Sequence, residues 1–423
     1  MDFTPTEEQA AAAGLAARIF GDLATHERLA AAGTGSDAEL WKALCAAGLP
    51  EAVEETGLLG LVLLAEEQGR TTAQTPFTAS CVYGLLAVAR HGTDEQRARL
   101  LPGLRDGTTV VTGAFPATGA VRAGPDGRLS GEVGWVPWLR DATHVLVPDG
   151  ERTLWLVPVT EATGGVGVVS RACATGGAGV VSRACATDGA GATGGAGVVS
   201  RAGATGEAAE GRRTAEVTVT PVQLTAPWAA GRLVLDGARA ERLGDPSGRA
   251  PASSSATSGP SRLGPPSAYD DVLTMARIAF AGLQAGVCAG SLARAVAYTS
   301  VREQFGRPLA TRQAVQLRAA DAHMDTEAIR VTAYEAAWLH DHDQGRHHRQ
   351  SAAEQALTAA WWASEAGKRV VHAGQHLHGG MGADLDHPVH RHFLWGRQLD
   401  AYLGCGTELL AELGDLLANG EPT

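Results

Sequence analysis

No Cys-x-x-Cys pair occurs among the six cysteines, Cys45, Cys81, Cys173, Cys185, Cys288 and Cys405, which are scattered along 423 residues. The spacing argues against a zinc ribbon or a disulfide framework and suits reduced thiols in a cytoplasm. Positive charge is in deficit, with 35 Lys and Arg against 46 Asp and Glu and a formal charge of −11. Nucleic acid and anionic membrane surfaces are therefore poor partners. No uncharged apolar run reaches membrane-spanning length, so no membrane span is expected. The stretch Met1-Asp2-Phe3-Thr4-Pro5-Thr6-Glu7-Glu8 lacks the basic and apolar regions of a signal peptide. A Walker-type Gly-Lys-Thr is missing, and no Ser-His-Asp or Cys-His nucleophile constellation stands out. What remains is an ordinary globular balance, 44% hydrophobic and 19% charged, long enough for two or three domains. A cytosolic protein is expected.

Patterning divides the chain. Residues 1–110 read as a helical domain. Thr4-Pro5-Thr6-Glu7 fits a capping box with Thr4 as N-cap, and an Ala-rich stretch covers 8–33. "DAELWKALCAAGL" (37–49) has helical spacing with Gly48 as its stop, and "DEQRARLLPGL" (94–104) turns at Pro102-Gly103. Residues 111–244 read as a β domain. "THVLVPDGERTLWLVPV" (143–159) is a hairpin signal, "EVTVTPVQLT" (216–225) alternates with period two, and "GRLVLDG" (231–237) is a short strand. Inside this region "VVSRA" recurs at 168–172, 180–184 and 198–202 among Gly, Ala and Thr. Residues 161–215 are expected to be a loosely ordered surface insertion, and 245–268 a linker. From 269 to 423 the chain is helical, with long stretches at 275–306, 312–340 and 351–380 and a final helix from about 387. The expected class is α+β: an N-terminal helical domain, a middle β domain and a C-terminal four-helix bundle.

Two motifs carry candidate chemistry. "REQFGRPL" (302–309) reads as the end of the first long helix, putting Arg302 and Phe305 on one face, a cation and an aromatic suited to a planar anionic ligand. Taken alone, it is also a plain helix end with Gly306 as cap and Pro308 as stop. "QHLHGGMG" (375–382) frees the backbone at Gly379, Gly380 and Gly382 for close approach to a ligand; alone, it is a helix–helix turn. "HDHDQGRHH" (340–348) has metal-ligand residue types but reads as a solvated polar connector, so no metal is expected.

Taken together, the helix–strand–helix layout, Arg302-x-x-Phe305-Gly306, Gln313 and His378-Gly379-Gly380-x-Gly382 resemble the acyl-CoA dehydrogenase family. The likeness covers the chain outside 161–215 and 245–268. It implies FAD between the β domain and the bundle, an oligomer of related subunits, an acyl-CoA or other acyl thioester as substrate, and an electron-transfer flavoprotein or similar acceptor. Carried over by motif, Arg302 and Phe305 would meet the diphosphate and adenine side of FAD, and Gln313 would add a polar contact. Gly379 and Gly380 would approach the FAD of the adjacent subunit. The family's glutamine before those glycines falls at His376. "GEVGWVPW" (131–138) places Trp135 against the flavin, with Pro137 where the family has Thr. The implied chemistry is α,β-desaturation: a carboxylate takes the α-proton of the thioester while the β-hydrogen leaves as hydride to the flavin.

The family's usual base position falls on Leu403, in "LDAYLGCGT" (399–407), and its alternative on Ala276, beside Arg277. Neither side chain can accept a proton. Three readings follow: a dehydrogenase whose base comes from another residue or a partner subunit, a non-catalytic companion in a heteromeric dehydrogenase, or a flavoprotein hydroxylase of the same fold.

Overall fold

The computed structural model describes residues 3–159, 216–244, 267–342 and 346–419. The expected insertion at 161–215 lies outside the described residues, as does nearly all of the expected linker.

Seven helices come first: α1 Glu7–Leu23, α2 His26–Ala32, α3 Ala38–Ala46, α4 Leu49–Thr71, α5 Phe77–Ser80, α6 Ala87–His91 and α7 Asp94–Asp106. A π-turn, Cys81–Leu86, joins α5 to α6. The capping box lies two residues later than expected, at Thr6 instead of Thr4. Thr6, extended at φ −66° and ψ 168°, accepts from the Gln9 N–H while Gln9 accepts from the Thr6 N–H. The Ala-rich stretch is two helices, because Thr25 caps a second one. Pro102 does not turn the chain: α7 runs through it to Asp106 and stops at Gly107, where φ is +79°.

Strands follow as two four-stranded sheets. One has the order β1-β4-β5-β8, from Val111–Gly113, His144–Pro148, Leu154–Pro158 and Glu241–Arg242. The other, β2-β3-β7-β6, is built from Val121–Ala123, Arg128–Val136, Gly231–Arg239 and Val217–Pro221. The β4–β5 hairpin pairs His144 with Pro158 and Pro148 with Leu154, as the Pro-Asp-Gly signal implied. Alternate residues of both sheets, among them Leu129, Val145, Val157 and Leu233, share one core.

The C-terminal helices are α8 Ala268–Val301, α9 Gln313–Asp341, α10 Arg346–His378, α11 Pro388–Asp400 and α12 Gly406–Asn419. Ser267 caps α8, so the helix begins inside the expected linker. The single final helix is two helices with the 401–405 bend between them. Helix α8 ends earlier than expected, before Gly306. Arg302 is the C-cap of α8, and β9 Glu303–Gln304 pairs with β10 Arg307–Pro308 as a hairpin.

Helix α8 is apolar and long enough to cross a membrane by length and composition alone, but 83% of its apolar window is buried inside the fold. Its glycines show what that apolarity serves. A Cβ at Gly286 would lie 1.9 Å from the Glu66 carbonyl oxygen, and one at Gly290 would lie 2.2 Å from that of Arg70. Reciprocally, a Cβ at Gly69 would lie 2.1 Å from the Leu283 carbonyl oxygen. The α4 and α8 backbones therefore touch, and only glycine lets them. Gly286→Ala is expected to destabilise the fold at the upper end of the about 1–3 kcal/mol typical of overpacking, seen as a lower thermal midpoint.

Candidate functional site

At the bend after α11, Leu403 is held at φ +66° and Gly404 at +114°. Leu403 is 3% exposed, packed in the main core. The preceding Tyr402 turns inward, and its hydroxyl lies 2.7 Å from that of Tyr83. Burial pushes both phenols above their ordinary pKa, so neither ionises near neutral pH. Ala276 is fully buried, and the neighbouring Arg277 is committed to a bidentate pair with Glu412 at 2.8 and 2.6 Å. Both positions that the resemblance offers for a base are inert.

Nearby acids are engaged elsewhere. Asp400 accepts from the Ser364 hydroxyl at 2.6 Å and pairs with Arg397. Glu408, exposed, accepts from the Cys405 N–H. Asp271 on α8 is a hub that accepts from His91 of α6 at 2.7 Å, Arg90 at 3.1 Å and His340 of α9 at 3.0 Å. His340 is thus buried against a carboxylate and is not part of a solvated connector, as the sequence had suggested.

This hub sets a pH dependence. Burial opposes charge on both groups, but the hydrogen bonds win. Asp271 is held well below the usual carboxylate range by His340 and His91, and Asp271 and Asp341 raise His340. The His340 contribution is complete below about pH 6.5 and lost as pH rises through its raised value; that of Asp271 is present above about pH 3.9. The thermal midpoint should fall as pH rises above about 6.5 and through the raised His340 value, and His340→Gln should flatten that slope.

Aromatics make up 5% of the sequence, yet nine of them meet at the seam between the strands and the bundle. Tyr269 stacks on Phe115 at 5.4 Å and Phe115 on Tyr83 at 5.1 Å. Tyr83 is 6.3 Å from Phe280, which meets Tyr402 edge-on at 4.8 Å. Tyr402 approaches Trp135 at 5.6 Å and Trp228 at 6.3 Å. Trp228 stacks on Trp138 at 4.5 Å and meets Trp395 at 5.5 Å. The structure brings Trp135, which the resemblance placed against a flavin, to the side of Tyr402 at the bend, where it stays half-buried. Sequence reading missed this column, because its members come from widely separated segments with no common spacing.

The remaining candidates lie on the surface. Tyr298, one turn before Arg302, stacks on His378 at 4.8 Å, so the Arg302 and Gly379 motifs share one end of the bundle. The hairpin turn has positive φ at both Phe305 (+55°) and Gly306 (+76°), which leaves Phe305 at its tip, 91% exposed. Arg302 and Phe305 therefore do not share a helix face. The Arg302 side chain is exposed, and Gln313 opens α9, also exposed. His376 is exposed; Gln375 instead staples the glycine turn by donating to the Gly382 carbonyl. A Cβ at Gly379 or Gly380 would meet nothing within 4 Å, so internal packing does not demand glycine at either; Gly379 has φ +62°. Phe280 and Arg302 are 22 residues apart on α8, roughly 33 Å along its axis. The rim and the seam cannot both line one isoalloxazine.

These residues fit FAD in part. The rim offers an exposed guanidinium, an exposed ring and open glycine backbone, which suit a phosphate-bearing, planar ligand. The seam does not fit: its rings contact each other directly, and Pro137 is buried with its carbonyl taken by the Thr112 hydroxyl at 2.6 Å. Among described residues, five non-glycine residues have positive φ, and Trp138, Phe305 and Leu403 are three of them. Strain of this kind concentrates where function or assembly constrains the backbone.

Comparison with known proteins gives concordant matches. The acyl-CoA dehydrogenase N-terminal domain model matches residues 6–108 and the C-terminal domain model residues 267–411. Acyl-CoA dehydrogenase FadE27 of Mycobacterium tuberculosis is 32% identical, with 99% of each chain covered. Among solved structures, a variant of the Tcur3481-Tcur3483 steroid ACAD is 34% identical over 98% of both chains, with a TM-score of 0.75. The ChsE4-ChsE5 complex from Mycobacterium tuberculosis is 26% identical over the full length of both, with a TM-score of 0.76.

Proposed function

Because the chain belongs to the acyl-CoA dehydrogenase family, we propose that it is the companion subunit of a heteromeric, FAD-dependent acyl-CoA dehydrogenase. A related chain supplies the carboxylate base, and this chain supplies structure and the rim of the FAD site. One observation carries the reading: the base position is a core-packed Leu403 whose neighbour Tyr402 is locked to Tyr83. The two solved relatives named above are titled as pairs of different chains, which supports a heteromer. The first is titled a steroid enzyme, so a bulky polycyclic acyl thioester is the substrate class to try beside straight-chain acyl-CoA. An electron-transfer flavoprotein or similar acceptor would take the electrons.

FAD bound to the partner would supply hydride acceptance. Arg302 would hold its diphosphate as a charge-assisted pair, Phe305 and Gln313 would flank it, and the Gly379-Gly380 backbone would let the neighbouring chain approach. The test is co-expression with a family chain that carries glutamate at this bend, followed by purification and assay. An active complex containing both chains is the expected result; failure to associate with any such chain would remove the reading. In that complex, Arg302→Ala should weaken FAD retention by about 1.5–3 kcal/mol, one to two orders of magnitude in affinity. Unchanged flavin affinity would take Arg302 out of the site.

A further inference from the structure

We propose that His340 and Asp341, at the C-terminal end of α9, form a pH-sensitive latch that closes a break in helix α4. The latch stands apart from the companion role and concerns how the N-terminal helices are held to the bundle.

The break is built into α4. Gly57 interrupts the helix at φ +73° and ψ −165°, a conformation open to glycine and costly for other residues. The helix restarts at Leu58, and the N–H groups of Leu58 and Leu59 have no partner within the new first turn. Asp341 takes both: Oδ1 accepts from Leu58 and Oδ2 from Leu59, each at 2.9 Å. A carboxylate from another helix thus caps the positive end of this one. A Cβ at Gly57 would lie 2.7 Å from Asp341 Oδ2, so glycine also makes the room. On the other side of the break, the Thr56 carbonyl accepts from the Gln9 side chain of α1. The two halves of α4 are therefore tied to different neighbours, α1 and α9.

His340 makes the cap depend on pH. Its Nε2 lies 3.0 Å from Asp271 Oδ1, and its Nδ1 lies 3.9 Å from Asp341 Oδ1. The ring is buried, and Nδ1 has no hydrogen-bond partner among the described residues. The imidazolium carries a proton on each nitrogen and attracts both carboxylates. A neutral ring that keeps its Nε2–H on Asp271 leaves a lone pair at Nδ1, on the side of the oxygen that caps Leu58. Loss of one proton turns attraction into repulsion at Asp341. The other charges here come from α6: Arg90 opposes protonation of His340, and His91 shares Asp271. Helix α4 presents the N–H groups of Leu58 and Leu59. Burial opposes charge on His340, yet Asp271 and Asp341 raise its pKa above the ordinary value. The latch is closed below about pH 6.5 and weakens as pH rises through the raised value.

Amide hydrogen exchange of the purified chain tests this, read for residues 57–64 and corrected for the intrinsic rate at each pH. Protection at Leu58 and Leu59 should hold steady near pH 6. It should then fall by up to about tenfold for each pH unit by which His340 is raised. In Asp341→Asn the segment should be less protected throughout and show no such fall, while the thermal midpoint keeps most of its pH slope through His340 and Asp271. His340→Gln removes the titrating group and should flatten the exchange curve as well. Protection that is independent of pH in the unmodified chain overturns the latch. So does a fall that survives in Asp341→Asn or in His340→Gln, because the pH effect then reaches α4 by another route.

Discussion

Assayed alone, with acyl-CoA thioesters of several lengths and an artificial electron acceptor, the chain should dehydrogenate about 10²–10⁴-fold more slowly than the heteromer, the range a positioned general base contributes. The reason is positional. Leu403 and Ala276 cannot take a proton, and both are buried, so no solvent ion reaches the thioester through them. Asp400 is the nearest acid in sequence, but it is turned to Ser364 and Arg397. A displaced carboxylate does not substitute easily, since an error of about 1 Å can cost on the order of 10²-fold in rate. Steady-state turnover of the purified homomer, compared with that of the heteromer at equal chain concentration, checks the expectation.

Leu403→Glu should not restore activity to this chain and should cost about 3–5 kcal/mol of stability, the penalty of an uncompensated buried charge. Sequence alone suggests the opposite outcome, since glutamate at this position completes the family pattern if the acyl pocket is intact. The structure explains the reversal. Leu403 is core-packed, and the ground beside it is held by Tyr402, Tyr83 and Phe280 in mutual contact. A glutamate there meets rings and no substrate, and burial would raise its pKa toward the neutral form. Thermal unfolding of the variant, with a dehydrogenase assay beside it, reads both effects. A stable, active Leu403→Glu homomer would contradict the filled-pocket account.

The sequence made the fold legible wherever local chemistry decides it. Period-two alternation marked β6, a short apolar run marked β7, Pro-Asp-Gly marked the β4–β5 turn, and long Ala-rich stretches marked the C-terminal helices. It misled where a local signal had two solutions. Thr4 and Thr6 both fit an N-cap, and the side chain of Gln9 decides for Thr6. "REQFGRPL" has no strand period, so a hairpin whose turn needs positive φ at Phe305 and Gly306 read as a helix end. That Leu403 and Ala276 carry no proton acceptor was legible because it depends on residue identity alone. The seam was not, because a contact between Trp135 and Tyr402 spans 267 residues and leaves no periodic trace. Likewise, the close crossing of α4 and α8 is visible only once Gly69 and Gly286 are seen to face carbonyls of the opposite helix.

The central claim is that the proton-abstracting group belongs to the other chain. Its most direct test is the α-proton exchange rate of an acyl thioester in deuterated buffer, catalysed by a heteromer in which only the partner's bend glutamate is replaced by glutamine. Exchange should fall to the level of this chain alone, by about 10²–10⁴-fold, the worth of the missing base. Exchange that persists within a few-fold of the unmodified heteromer would mean that this chain carries a base after all.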